Sequence, residues 1–304
     1  MKLGIKVNAD AKSFDRLSKA NPDMAEVWFN ANTPETYSEL FTELTKRHCD
    51  VGLHFWGTVN GTVLPNLAYP DSLVINESMA LMKRTIDIAH AHGFQYVNIH
   101  PGSSALLSVD FASERYEIVK PPADLDDAIQ RFLTNASELH AYATAKNIVF
   151  TVETVPLRIT DGWYTPDARK TPKQSYELPI AAIVQAASAG IPIANDFCHT
   201  AASIITEDAS SVWRFIHGMT TLLAPMTRLI HIGFIIPPFN GTDNHDQLDN
   251  PLLETDAAVP NTKQLIELLK LFSERPDVWI LAEPSNEHVK NYKIVQKLLE
   301  IASK

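Results

Sequence analysis

The stretch IANDFCH, residues 193–199, joins a short apolar run to a carboxylate and an imidazole. Such a run is typical of a buried strand. It ends in Asp196, and His199 follows three residues later. Asp-x-x-His alone is weak evidence for a functional site, because the spacing arises by chance in many proteins. It gains weight here because an apolar run that ends in His, Asp or Glu recurs along most of the chain.

Eight such runs predict eight strands, and each is followed by a segment in which apolar residues have helical spacing. The predicted strands cover residues 3–7, 26–29, 51–54, 96–100, 148–153, 193–196, 228–231 and 278–283. The predicted helices cover residues 11–20, 34–48, 76–92, 124–146, 207–222, 262–272 and 287–302, and one more ends at Gly190. Long loops are expected over residues 101–122 and 154–176.

This alternation of strand and helix decides the fold class. Strands joined through helices run parallel, and eight such units predict a closed α/β barrel of the (β/α)8 (TIM) type. We expect a single domain over residues 1–304. An open doubly wound sheet is the alternative, but no Gly-rich phosphate-binding turn follows the first strand. The barrel is therefore favoured.

The composition fits one large barrel, since the chain has 304 residues, of which 45% are hydrophobic and 20% charged. The chain has no run of about 18 apolar residues, so no membrane span is predicted. The first ten residues lack the apolar segment of a signal peptide. Two cysteines give no disulfide framework, so we expect the cytoplasm. The net charge of −10 does not suggest a protein coated with nucleic acid. It leaves room for a local basic groove or for bound metal ions.

Ionisable side chains gather at one end of the predicted barrel, the carboxyl ends of the strands, where such barrels have their active sites. Five imidazoles and four carboxylates lie at or just after these ends: His54, His100, Glu153, Asp196, His199, His231, Asp243, His245 and Glu283. Without compensation, so many ionisable groups in a closed mouth would be costly. Neutral imidazoles and carboxylates are ligands that zinc or manganese prefers. Nine ligands exceed what one ion uses, so the sequence predicts two or three ions, with Glu153 or Glu283 free to bridge.

The other histidines and the cysteine near this end have a simpler interpretation. Six histidines fall on predicted helices or their ends and are assigned to structural roles: His48, His90, His92, His140, His217 and His288. Cys198 is expected to point into the barrel wall as a small apolar residue and not to bind metal.

Four segments resemble the endonuclease IV family of apurinic/apyrimidinic endonucleases, within the xylose-isomerase-like barrel superfamily. They are NIHPGS at 98–103, DFCHTAA at 196–202, DNH at 243–245 and ILAE at 280–283. The resemblance runs from about His54 to Glu283 in the same order. It implies a trinuclear zinc site in which His54 and His100 hold one ion and Glu153 bridges to a second. Asp196, His231 and Glu283 would complete the second, and His199, Asp243 and His245 would bind the third.

The implied reaction is hydrolysis of a phosphodiester, with Glu283 as both metal ligand and general base. The substrate would be damaged DNA or a smaller phosphodiester or sugar compound, and no membrane or protein partner is implied. Phe55 and Trp56 could stack on a base or sugar, or pack the loop onto the barrel mouth. Arg158 and Trp163, in the one basic loop near the mouth (residues 154–176), are also predicted to contact the substrate. Residues 30–37 and 232–259 carry no Arg or Lys, and this acidic surplus disfavours duplex DNA.

The main alternative is a sugar isomerase or epimerase on the same barrel. Such enzymes resemble this chain in one subset of the site, a single metal at Glu153, Asp196, His231 and Glu283, with two carboxylates that move a proton. A single-metal isomerase does not need the other five donors. A ligand-binding barrel without activity is a third interpretation, but nothing in it requires so many metal-type ligands.

Overall fold

The computed structural model describes residues 1–162 and 171–304 and contains a closed barrel of eight parallel strands. In chain order these are β1 (Lys2–Val7), β2 (Met24–Asn30), β3 (Asp50–Trp56), β4 (Tyr96–Ile99), β5 (Val149–Glu153), β6 (Ile193–Asp196), β7 (Thr227–Ile232) and β8 (Trp279–Ala282). Each strand pairs with the next in sequence, and β8 pairs with β1 to close the barrel. The predicted (β/α)8 TIM barrel is therefore confirmed.

Helices cover the outside of the barrel. They are α1 (Ala11–Ala20), α2 (Ser38–Arg47), α3 (Ser72–Ala91), α4 (Leu125–Thr144), α5 (Ile180–Ser188), α7 (Ala209–Leu223), α8 (Thr262–Lys270) and α9 (His288–Ala302). A short buried helix, α6 (Phe197–Ala201), follows directly after the end of β6. Aspartate side chains at Asp10, Asp71, Asp124 and Asp208 accept hydrogen bonds from backbone N–H groups in the first turns of four of them. These bonds satisfy donors that have no partner within the helix. In the described part of the chain, no helix is long and apolar enough to cross a membrane.

The structure corrects three sequence expectations. The helix predicted for residues 34–48 begins as a separate 3-10 turn, Pro34–Tyr37, whose buried Tyr37 hydroxyl donates to the Trp28 carbonyl oxygen. The loop predicted for residues 101–122 contains an antiparallel hairpin of Leu106–Asp110 and Arg115–Lys120. Short elements were also missed at Phe197–Ala201 (α6), Arg158–Ile159, Lys173–Gln174 and Pro251–Glu254.

The core has two layers. Apolar side chains fill the space between the barrel and its helices, in two large clusters. A third cluster closes the bottom of the barrel interior and consists of Met24, Tyr96, Ala194, Leu229, Trp279 and Leu281. Tyr96 leaves no room opposite it, since a Cβ atom on Gly52 would lie 1.9 Å from the Tyr96 ring. This apolar floor makes the interior a packed core below the level of the site.

Above this floor, polar side chains line the interior. Side chains alternate between the two faces of a strand, so the residues two positions beyond the floor also point inward. In β2, for example, Glu26 follows Met24, and in β7 His231 follows Leu229. Register pairs Lys6 with Glu26, and Asp196 with His231, across neighbouring strands. The fold thereby concentrates charged groups in one buried layer.

Candidate metal centre

The structure brings all nine predicted donor residues together at the carboxyl ends of the strands. Three groups each place their donor atoms within 4.8 Å of one another and could hold a metal ion. These groups are His54, His100 and Glu153; Glu153, Asp196, His231 and Glu283; and His199, Asp243 and His245. Glu153 belongs to the first two, as expected of a bridging carboxylate. The grouping agrees with the three ligand sets that the resemblance implies, and whether each residue binds metal stays a prediction.

The first group has the features of a cation site. The Nε2 atoms of His54 and His100 are buried and have no hydrogen-bond partner in the part of the chain that the structure describes. They lie 3.5 and 3.7 Å from the two carboxylate oxygens of Glu153. Buried polar atoms normally have partners, and a divalent ion between two imidazoles and a carboxylate would satisfy all of them. The residues present therefore fit a metal ion.

The second group is almost closed to solvent. His231 Nδ1 lies 3.3 Å from Glu153 Oε1, 3.7 Å from Asp196 Oδ2 and 3.4 Å from Glu283 Oε2. Burial alone would raise the pKa of Glu153, but His231 and His54 hold it well below its usual range. Burial raises the pKa of Asp196. Glu283 has 12% of its side chain exposed, whereas those of Glu153 and His231 have none. Glu283 therefore faces the barrel mouth.

The third group stands on α6 and on the loop after β7. The Asp196 side chain accepts a hydrogen bond from the His199 backbone N–H at 2.9 Å, which begins α6. His199 Nε2 lies 3.5 Å from Asp243 Oδ2, and His245 Nε2 lies 3.0 Å from the same oxygen. Burial opposes ionisation of Asp243, but His245 and His199 lower its pKa. The group is compact and lies beside Glu153, whose Oε1 atom is 3.2 Å from His199 Nδ1.

Sequence reasoning missed Lys6 and Glu26. The Lys6 ammonium lies 2.6 Å from Glu26 Oε1, 2.6 Å from His54 Nδ1 and in close contact with Glu283 Oε1. Burial alone would lower the pKa of Lys6, but Glu26 and Glu283 raise it. Glu26 forms a fourth possible metal group with His54, His231 and Glu283. Strand alternation was the signal that could have found this pair, since both residues follow inward-facing positions of β1 and β2.

The four predicted substrate-binding residues do not lie together at the rim of the barrel as far as the structure describes them. Phe55 was expected at the rim, but it lies on β3 and packs in the core between the barrel and the helices, because its side chain points away from the face that carries His54. Trp56 points inward again, 6.1 Å from Trp28 and 4.5 Å from Phe111 between ring centroids. Arg158 is half-buried and its backbone N–H donates to Gly241, beside the Asp243 loop. Trp163 lies outside the described residues.

The residues assigned to structural roles stay apart from the described donor groups. None of the six helix histidines belongs to a metal group among residues 1–162 and 171–304. Cys198 is fully buried, its thiol donates to the Phe234 carbonyl oxygen at 3.4 Å, and burial raises its pKa. Its side chain packs in the wall of the barrel, as expected.

The acidic loop after β7 is partly neutralised. Asp249 forms an ion pair with Lys290 of α9, and Glu254 accepts a hydrogen bond from the Thr262 hydroxyl at 2.7 Å. Asp246 is engaged within the loop by Asn250 at 2.6 Å. The ion pair with Lys290 therefore reduces the negative charge of this loop. The neutral donors Thr262 and Asn250 leave the charges of Glu254 and Asp246 in place.

Known proteins with related sequences or folds include both endonucleases and epimerases. The probable endonuclease 4 of Haloarcula marismortui is 26% identical over 104 residues, which span 34% of this chain and 36% of that protein. A D-tagatose 3-epimerase-like protein of known structure superposes with a TM-score of 0.66 at 15% identity, over 99% of this chain and 98% of that one. Endonuclease IV from Thermus thermophilus superposes with a TM-score of 0.55 at 15% identity, over 99% of both chains.

These structural likenesses show a shared fold and no more, because the sequence identities are low. A family model described as the xylose isomerase-like TIM barrel matches residues 14–233. That span is more than two thirds of the chain, and it contains the donor residues from His54 to His231 and the strands β2 to β7. The remaining donors, Asp243, His245 and Glu283, follow it. The protein therefore belongs to the xylose isomerase-like TIM barrel family.

Proposed function

We propose that this protein is a metal-dependent hydrolase of phosphoric ester bonds that acts on a phosphodiester. The observation that supports the proposal is the third donor group, His199, Asp243 and His245, beside the other two. An isomerase that moves a proton with one ion has no use for this group. A phosphodiester hydrolase can use this group, because both the attacking and the leaving oxygen of an in-line displacement need charge stabilisation.

The position of each residue in the site indicates its role in hydrolysis. Divalent ions, when bound, supply Lewis acidity and neutralise the charge of the phosphate oxygens. Glu153, which lies between two donor groups, would hold their relative position. Glu283, the carboxylate that faces the mouth, would orient the attacking water and accept its proton.

The rim around the donor groups suits a substrate with both an anionic and a flat part. Trp28, Trp56 and Phe111 form an aromatic ledge next to His54. The Trp56 indole N–H is buried and has no hydrogen-bond partner in the described ranges, so a phosphate or sugar oxygen that reached it would supply the missing acceptor. Abasic DNA and a smaller phosphodiester both fit this chemistry.

A sugar epimerase is the second candidate. The group of Glu153, Asp196, His231 and Glu283 supports it, because it offers a metal site with carboxylates that can move a proton next to a carbonyl. The epimerases among its structural neighbours share the fold. This candidate leaves the third donor group without a role.

The deciding experiment offers three substrates to zinc-loaded protein: an oligonucleotide with one abasic site, bis(p-nitrophenyl) phosphate and a panel of ketohexoses. We expect cleavage of a phosphodiester that is lost in Glu283→Gln and kept in Glu300→Gln, a matched change on the exposed side of α9. Interconversion of ketoses without phosphodiester cleavage would overturn the proposal in favour of the epimerase.

A further inference from the structure

The Lys6 ammonium lies against a group of side chains that could otherwise hold a metal ion. Its ammonium contacts three of the four members of the group formed by Glu26, His54, His231 and Glu283. The lysine residue is 7% exposed and Glu26 is fully buried. An ammonium has three N–H donors and no acceptor, and these three contacts use all of them.

Glu26 is built to hold that ammonium. Its Oε1 atom accepts from Lys6, and its Oε2 atom accepts from the Tyr96 hydroxyl at 2.9 Å. Tyr96 stands on the apolar floor of the barrel and is fully buried. Lys6 also lies 5.0 Å from the centroid of the Trp28 ring, within the range of a cation–π contact. The Lys6–Glu26 ion pair is therefore held in place by Tyr96 at the floor of the barrel and by the Trp28 ring beside it.

The contact with His54 sets up a competition. A neutral imidazole has one nitrogen that accepts and one that donates. When Lys6 donates to His54 Nδ1, the hydrogen of a neutral ring is on Nε2, and Nε2 then cannot act as a metal ligand. His54 Nε2 is the atom that faces Glu153 in the first donor group. The lone pair of His54 therefore serves either the ammonium or a metal ion.

We infer that Lys6 is a positioning residue that acts as a built-in competing cation: it excludes metal from the group of Glu26, His54, His231 and Glu283 and weakens binding at the His54 group. The inference rests on the proposed function, since it assumes that the donor groups bind metal. Glu26 acts in the opposite direction, because its carboxylate offsets the charge of the ammonium. Lys6 has no described contact with His199, Asp243 or His245, so their affinity for metal is independent of it.

The test is a zinc titration of wild type, Lys6→Met, Glu26→Gln and the double variant, in competition with a chromophoric chelator. For Lys6→Met we expect the weakest zinc equivalent to bind about tenfold tighter, as for removal of one nearby charge in a partly screened site. Glu26→Gln should bind it about threefold more weakly, because the ammonium remains and the carboxylate that offsets its charge is gone. The control is Lys2→Met, which removes a charge from the same strand where it pairs with the part-exposed Asp50.

Folded Lys6→Met that binds zinc no tighter than wild type would overturn the inference. If Lys6→Met does not fold, because Glu26 is left buried without its partner, the comparison is between the double variant and Glu26→Gln. The double variant should then bind about tenfold tighter, and equal affinity would overturn the inference. Wild-type protein that binds no zinc would contradict the proposed function itself, which is a separate outcome.

Discussion

His199 Nδ1 lies 2.8 Å from the carbonyl oxygen of Thr154. The carbonyl can only accept, so the ring nitrogen donates, and a neutral His199 keeps its lone pair on Nε2. That atom faces Asp243 in the third donor group. A hydrogen bond of this kind, at the ring nitrogen opposite the one that faces Asp243, is how proteins fix the tautomer and orientation of a metal-binding histidine.

We predict that His199→Ala binds one metal equivalent fewer than wild type. Its phosphodiesterase rate should be about 100-fold lower, because one source of charge stabilisation is lost. Metal content by elemental analysis and turnover of bis(p-nitrophenyl) phosphate measure the two effects. His140→Ala, on α4 and outside the described donor groups, should change neither. Equal metal content in His199→Ala and wild type would refute the role of the third group.

Substitution of Gly52 and of Gly218 by alanine should change the free energy of unfolding in opposite directions. A Cβ atom on Gly52 would collide with the buried Tyr96 ring, and overpacking of this kind costs about 3 kcal/mol. A Cβ atom on Gly218 in α7 meets nothing within 4 Å, so Gly218→Ala should stabilise the helix by about 0.5–1 kcal/mol. Urea unfolding of both variants measures the difference. A Gly52→Ala protein as stable as wild type would show that the floor of the barrel is loosely packed.

Glu177 should make stability fall as pH rises. Its Oε2 atom is buried without a hydrogen-bond partner in the described chain, and burial raises its pKa from 4.5 to about 8. Between these values the unfolded chain releases the proton and the folded protein keeps it, so stability is lost as pH increases through this window. In chelator-treated protein, the stability of Glu177→Gln relative to wild type should therefore rise by about 3 kcal/mol between pH 5 and pH 8.

Unfolding temperatures of both proteins at four pH values in that interval measure this gain. Parallel curves for Glu177→Gln and wild type would mean that Glu177 ionises normally in the folded protein.

The positive charge of Arg158 should strengthen the binding of anionic substrates. Its backbone is tied to the loop that carries Asp243, which places it near the third donor group. Arg158→Gln should raise KM for a phosphodiester about three- to tenfold, with kcat unchanged. Arg214→Gln is the matched control, since Arg214 is exposed on α7 beside Asp208. A change in kcat without a change in KM would place Arg158 in the chemical step instead.

The barrel and the nine donors were predictable because both depend on local pattern. Apolar runs define the strands, and the ends of parallel strands meet at one end of a barrel. His54 shows the limit, since β3 continues to Trp56 and His54 is therefore two residues before the end of its strand, not its last residue as predicted.

Lys6 and Glu26 were missed for the same reason. Their significance comes from neighbouring strands that place them side by side, and a search of strand ends does not consider inward positions within β1 and β2. The hairpin of residues 106–120 and the five-residue helix α6 depend on tertiary contacts and a single capping bond, which periodicity over so few residues does not reveal.

The metal content of the purified protein tests the central claim most directly. Elemental analysis of protein prepared without chelators should give two to three equivalents of zinc or manganese per chain, because three donor groups converge around Glu153 and His199. One equivalent or none would contradict the account, since a single ion needs only the group that an epimerase would use.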